Sequence, residues 1–118
     1  MPIRIKRAYE PPSPEDGTRI LVDRVWPRGL TRERLQISQW MREIAPSTGL
    51  RKDFCHDPEK WDEFVRRYYD ELDGKPEQVQ QLLEIAAQGT LTLVYGARDE
   101  TYNQAAALKH YLEKSIQG

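Results

Sequence analysis

The segment Arg19-Ile20-Leu21-Val22-Asp23 constrains this chain most, because its apolar residues are consecutive rather than alternating. A strand with one wet face alternates apolar and polar positions, whereas a strand covered on both faces reads as a near-continuous apolar run. A parallel sheet with helices on its faces provides such cover. Thr90-Leu91-Thr92-Leu93-Val94-Tyr95, bounded by Gly89 and Gly96, predicts another strand. Ile3 and Ile5, interleaved with Arg4, Lys6 and Arg7, predict a shorter first strand with one wet face.

Residues 10–17 hold three prolines and cannot continue a ladder, so they predict an extended loop. Thr31 predicts the cap of a short helix through Leu35, and Ser38 the cap of another carrying Trp40, Met41 and Ile44 before Pro46 stops it. From Asp57, with Pro58 at the first helical position, Trp61, Phe64, Val65, Tyr68 and Leu72 recur at three- and four-residue spacing. A further helix carries Val79, Leu82, Leu83 and Ala86 and ends near Gly89; a last one turns Ala105, Leu108, Leu112 and Ile116 inward. The order strand, strand, helices, strand, helix predicts an α/β fold, a small and mainly parallel sheet flanked by helices in a Rossmann-like three-layer sandwich.

With 118 residues the chain suits one domain, expected over residues 1–118. The hydrophobic share of 38% furnishes a core, and 31% charged residues furnish a soluble surface. No apolar run reaches the roughly 20 residues of a membrane span, and the amino terminus shows no secretory h-region, so a cytoplasmic location is expected. One cysteine and two histidines exclude an internal disulfide and a zinc site of ordinary spacing, and no metal is expected. The net charge of −1 hides a gradient: residues 1–34 carry eight Lys/Arg against five Asp/Glu, and residues 53–73 three against eight. The basic first third favours a small anion, but it lacks the continuous cationic stripe that follows a duplex backbone.

Ligands of open α/β sheets bind just beyond the carboxyl ends of the strands. There the first apolar run meets Asp23, Arg24, Trp26, Pro27, Arg28 and Gly29. Arg24 and Arg28 offer planar guanidinium forks to a phosphate or carboxylate, and Gly29 lets backbone approach closely. The plainer alternative pairs Arg24 with a carboxylate and packs Trp26 and Pro27 over the core. The second run ends in Gly96, Ala97, Arg98 and Asp99, which parallel neighbours would set beside the first cluster. Asp23 and Asp99 are the candidate catalytic carboxylates, and Asn103, one turn beyond Asp99, can face the same pocket. Capping is the simpler role for Asp99, and exposure on a first helical turn for Asn103.

Cys55 beside His56 suggests a thiolate and base, although neighbouring side chains usually diverge and a lone cysteine is commonly a small buried hydrophobe. His110 is expected to cover surface. Ser47 reads as a helix cap or, with Arg51, as a hydroxyl and guanidinium aimed at the same anion.

The combination of Lys-Arg-Ala-Tyr at 6–9, Arg-Ile-Leu-Val-Asp-Arg-Val-Trp-Pro-Arg-Gly at 19–29, Ile-Ala-Pro-Ser at 44–47 and Leu-Val-Tyr-Gly-Ala-Arg-Asp at 93–99 closely resembles the YeaO-like bacterial family, a domain of unknown function. Trp40, Leu50-Arg51, residues 54–57, Trp61 with Phe64 and residues 68–72 extend the likeness over nearly the whole chain. The resemblance implies a small cytoplasmic α/β protein and assigns no reaction. A more distant likeness to rhodanese-type domains makes a rhodanese-like sandwich the alternative to a Rossmann-like one. In that pattern Gly96 occupies the place of the nucleophilic cysteine, so the likeness implies an anion-cradling loop without sulfur-transfer or cysteine-phosphatase chemistry.

Three functions follow. The first is a pocket for a small anionic ligand, a phosphate-bearing metabolite or nucleotide, lined by Arg24, Trp26, Arg28, Gly29, Arg98 and Asn103, with any chemistry of the acid/base or hydrolytic kind. The second is a noncatalytic interaction module anchored by Trp26 and Trp40. The third is a thiol enzyme using Cys55. The cofactor and the oligomeric state are both left open.

Overall fold

The two apolar runs lie side by side in the middle of a four-stranded sheet, in a computed structural model that describes residues 2–55 and 57–117. Strands β1 (Ile3–Arg7), β2 (Thr18–Leu21), β3 (Gln39–Trp40) and β4 (Leu91–Tyr95) are arranged in the order β1-β4-β2-β3, and every pairing is parallel. Central β4 is buried at all five positions, which is why it tolerates no charged residue. Edge strand β1 keeps a partly wet face with Arg4 and Lys6.

Five helices complete the fold: α1 (Arg32–Leu35), α2 (Thr48–Phe54), α3 (Trp61–Asp73), α4 (Pro76–Gln88) and α5 (Gln104–Gln117). The register sets Ile5, Leu93 and Ile20 in one row and Lys6, Val94 and Leu21 in the next, so alternate residues serve two cores. Ile3, Ile20, Val22, Leu91, Leu93 and Tyr95 face the larger core with α2, α3, α4 and α5, while Leu21 and Val94 pack with Ala8 and Leu35 on the thinner side. Each fully buried leucine contributes about 2 kcal/mol of transfer free energy. The α2–α3 junction is aromatic, with Phe54 stacked on Phe64 at 4.5 Å, and buried Tyr68 donates its hydroxyl to Ile44 O at 2.6 Å. Among the described residues, no helix is long and apolar enough to cross a membrane.

The expected Ser38-capped helix does not form. Ser38 N donates to Arg19 O (2.7 Å) and Met41 N to Leu21 O (2.9 Å), so this backbone joins the ladder as β3; only Arg42–Ile44 coils, as one 3-10 turn. Edge pairing beside β2 outweighs a local helical signal of only a few residues. The other caps act as their residue types predict. Thr31 accepts from Arg34 N, Ser47 from Leu50 N, and Asp57 from Glu59 N in a 3-10 turn, Pro58–Lys60, that leads into α3.

Ahead of β2, the proline-rich loop is anchored by a buried carboxylate. Asp16 accepts from Ser13 N (3.0 Å), Lys6 Nζ (3.1 Å) and Arg19 Nη1 (2.7 Å). Arg19 also donates to Leu35 O from Nε and Nη2, so each nitrogen of the buried guanidinium has a partner. Burial raises the Asp16 pKa, but the hydrogen bonds from Ser13 N–H, Lys6 and Arg19 outweigh it, and the net displacement is downward.

Candidate functional site

Beyond the carboxyl ends of β2 and β4 lies a cleft of about 330 Å³ whose walls include Asp23, Arg24, Trp26, Arg28, Arg51 and Gln104. Parallel strands deliver their following loops to the same edge of the sheet, so residues distant in sequence meet here. The joint is Asp23. Its Oδ2 accepts from Gly96 N at 2.8 Å, and its Oδ1 accepts from Gln104 Nε2 at the start of α5. One half-buried carboxylate thus ties together the β2 exit, the β4 exit and the last helix.

Gly96 is required by this contact rather than by a special turn. A Cβ at that position would lie 2.8 Å from Asp23 Oδ2, too close for any other residue to keep the carboxylate in place. Gly29 answers a different need: its φ of +82° falls in the left-handed region, in a turn closed by Leu30 N donating to Pro27 O. No atom stands near its absent Cβ, so close backbone approach is not its role in the described structure.

Burial raises the Asp23 pKa to about 6, against the lowering effects of the Gly96 N–H, the Arg51 charge and Gln104. Desolvation dominates because the two neutral donors and Arg51 offset only part of the lost hydration. Arg51, on α2, lines the cleft and acts on Asp23 through its charge.

Arg24 is partly committed elsewhere. Its Nε donates to Pro46 O (3.2 Å) and its Nη2 to Ala45 O (3.1 Å), clamping the β2 exit to the segment before α2. It pairs with backbone carbonyls where a carboxylate partner was the plainer expectation. Arg28 is exposed on the cleft wall, and its carbonyl accepts the Tyr9 hydroxyl at 3.0 Å. Trp26 donates Nε1–H to Leu30 O and meets Trp40 edge-on at 5.4 Å; Trp40 in turn donates to Asp23 O at 2.7 Å. The two indoles therefore brace the site from the thinner side of the sheet.

Arg98, Asp99 and Asn103 do not line this cleft. Arg98 is exposed. Asp99 Oδ1 accepts from Thr101 N and Tyr102 N, both at 2.8 Å, and organises the turn before α5. Asn103 is buried rather than exposed: it caps α5 by accepting from Ala106 N and donates to Asp99 O. The two exit loops do meet, but through Asp23 and Gly96 rather than through the paired arginines.

Cys55 is exposed in a left-handed conformation at the end of α2, with its thiol directed to Lys52 O, and it lies outside the cleft lining. His56 lies outside the described residues. His110 is exposed on α5, 3.8 Å from Glu113. Ser47 caps α2 and is held by Glu71, donating from its backbone N at 2.8 Å and from Oγ at 2.6 Å. Among the described residues, no group of three or more His, Cys, Asp or Glu side chains converges to hold a metal ion.

Sequence reasoning missed Gln104 and gave Arg51 only a side role. Gln104 carries no signal of its own within a helical first turn. Arg51 could be placed only by knowing that α2 follows the edge strand and returns to the β2 exit.

The family model described as "Inactive DUF488-N3 subclade" matches residues 2–118. The chain is 41% identical over 112 residues to the uncharacterized protein YeaO of Escherichia coli (strain K12), covering 95% of this chain and 97% of that protein. It is 36% identical over 110 residues to the uncharacterized proteins Mb3100c of Mycobacterium bovis and Rv3073c of Mycobacterium tuberculosis, covering 93% of this chain and 92% of each. No solved structure matches, and neither the family model nor these relatives show the rhodanese-type likeness.

Proposed function

The chain belongs to the inactive DUF488-N3 subclade, and from that premise we propose that it binds a small anionic molecule, a phosphate-bearing metabolite or nucleotide, in the Asp23 cleft without transforming it. The observation that carries this reading is the charge of the cleft wall. Arg24, Arg28 and Arg51 line it, against Asp23 as the one carboxylate among the described lining residues. Guanidinium groups at a strand-end cleft supply charge-assisted, directional hydrogen bonds to phosphate or carboxylate oxygens.

The hydrogen bonding of Asp23 favours binding over turnover. A general acid or base must turn toward the reacting group, whereas one protein donor holds each oxygen of Asp23, Gly96 N on Oδ2 and Gln104 Nε2 on Oδ1, and fixes the carboxylate between the two loops. Its role is to hold the two loops and orient Gln104, while Arg51 and Arg28 meet the anion. The family's description as inactive points the same way.

Thermal unfolding of the full chain with inorganic phosphate, nucleoside monophosphates and sugar phosphates tests the reading. At least one should raise the melting temperature, and Arg51→Ala should abolish the rise. A flat response to every one of these phosphates would count against a binding cleft and in favour of an interaction module.

A further inference from the structure

A second hollow of about 280 Å³ adjoins the charged cleft and shares Pro46, Arg51 and Gln104 with it. Its character differs. Phe54 and Phe64 form an apolar wall, stacked at 4.5 Å, and the rim carries Thr48, Arg51 and Lys52. The spacing of 48, 51 and 52 explains the rim, since residues three and four apart on α2 share one face. Among the described lining residues of this hollow there is no carboxylate. Arg51 stands where the two chambers meet, one lined by Asp23, Arg24 and Arg28, the other by Phe54 and Phe64.

Resting on the reading of the Asp23 cleft as an anion site, we propose that the ligand is an amphipathic anion: a phosphate or carboxylate group held at Arg51, joined to an aromatic ring or comparably sized apolar body that enters the Phe54–Phe64 hollow. Charge complementarity fixes the orientation. Arg51 and Lys52 attract the anionic end to the shared rim, and the Phe54–Phe64 wall gives the ring apolar contact. A bare inorganic anion uses only half of this space. A neutral apolar molecule of the same size leaves the cations unpaired with it and gains only the burial of its ring.

Calorimetric titration of the full chain with inorganic phosphate, phenyl phosphate and benzyl alcohol tests the proposal. Phenyl phosphate should bind about tenfold or more tightly than inorganic phosphate, the advantage expected from burying one ring with part of it lost to ordering. Benzyl alcohol should bind more weakly than phenyl phosphate. Thr48→Trp, which fills the hollow from its exposed rim, should remove the phenyl advantage and bring the two phosphates to equal affinity, whereas Arg51→Ala should weaken both anions. Contacts between phenyl protons and the Phe54 and Phe64 rings in nuclear Overhauser spectra of the unmodified chain give a readout independent of whether T48W folds. Equal affinity for the two phosphates, or a ring that contacts neither phenylalanine, overturns the proposal while leaving the anion cleft standing. If no anion binds at all, the cleft reading itself fails and takes this one with it.

Discussion

Asp16 and Asp23 flank β2 at its two ends, and the same side chain does opposite work in the two places. At the amino end, Asp16 is buried among Lys6, Arg19 and the Ser13 N–H, and its pKa is lowered. At the carboxyl end, Asp23 accepts from two neutral donors beside an open cleft, and its pKa rises to about 6. A carboxylate given cations within hydrogen-bonding reach becomes a structural fastener. One that is desolvated without direct ion pairing holds its proton to higher pH.

The largest expected effect lies at the fastener. Asp16→Asn leaves Arg19 buried without its counter-charge and should lower stability by about 3 kcal/mol, read from urea unfolding followed by tryptophan fluorescence. A loss under about 1 kcal/mol would show that the cluster matters little to folding. Because the folded pKa of Asp16 lies below its ordinary 3.8, its contribution is present above that value and disappears as pH falls through the folded pKa.

Asp23 should show the reverse slope. Between its ordinary 3.8 and about 6, the folded chain keeps a proton that the unfolded chain has lost, so stability falls as pH rises through that window. The change amounts to about 2 kcal/mol once residual solvent contact is allowed for. Asp23→Asn should remove it, so the stability difference between variant and parent should move in the variant's favour from pH 4 to 7. A difference that stays constant with pH would dissolve the contrast between the two aspartates.

Gly96→Ala comes next. The added methyl displaces Asp23 Oδ2 and breaks its bond to Gly96 N, at a cost of about 1 kcal/mol. Its informative readout is the pH curve, which should change shape as Asp23 is released; an unaltered curve would mean the carboxylate stays put. The smallest stability effect belongs to Arg28→Ala, within about 0.5 kcal/mol because the side chain is exposed. Anion binding should nevertheless weaken, and unchanged binding by calorimetry would remove Arg28 from the cleft's working set.

Much of the fold was legible locally. The helices led in by Thr31, Ser47 and Asp57 carry caps that short-range chemistry dictates, and the runs around Ile20 and Leu93 announce buried strands. Residues 38–44 were misread because Trp40, Met41 and Ile44 have helical spacing, while the deciding partners, Arg19 O and Leu21 O, lie about twenty residues away. The site was legible in part for the same reason. Asp23, Arg24, Trp26 and Arg28 are consecutive enough to be noticed together, and Asn103 and Asp99 satisfy local backbone amides that any sequence of this kind exposes before a helix.

By itself the amino-acid sequence determined the family, the α/β class and the polar segments that follow the two central strands, since apolar runs and the polar residues that end them are properties of neighbours along the chain. Only the tertiary structure decided that Gly96 and Gln104 hold Asp23, that Arg24 is drawn onto Ala45 and Pro46, and that Arg51 joins a charged chamber to an aromatic one. Those contacts span from about twenty to eighty positions of sequence, and parallel crossovers create them by bringing separate loops to one sheet edge.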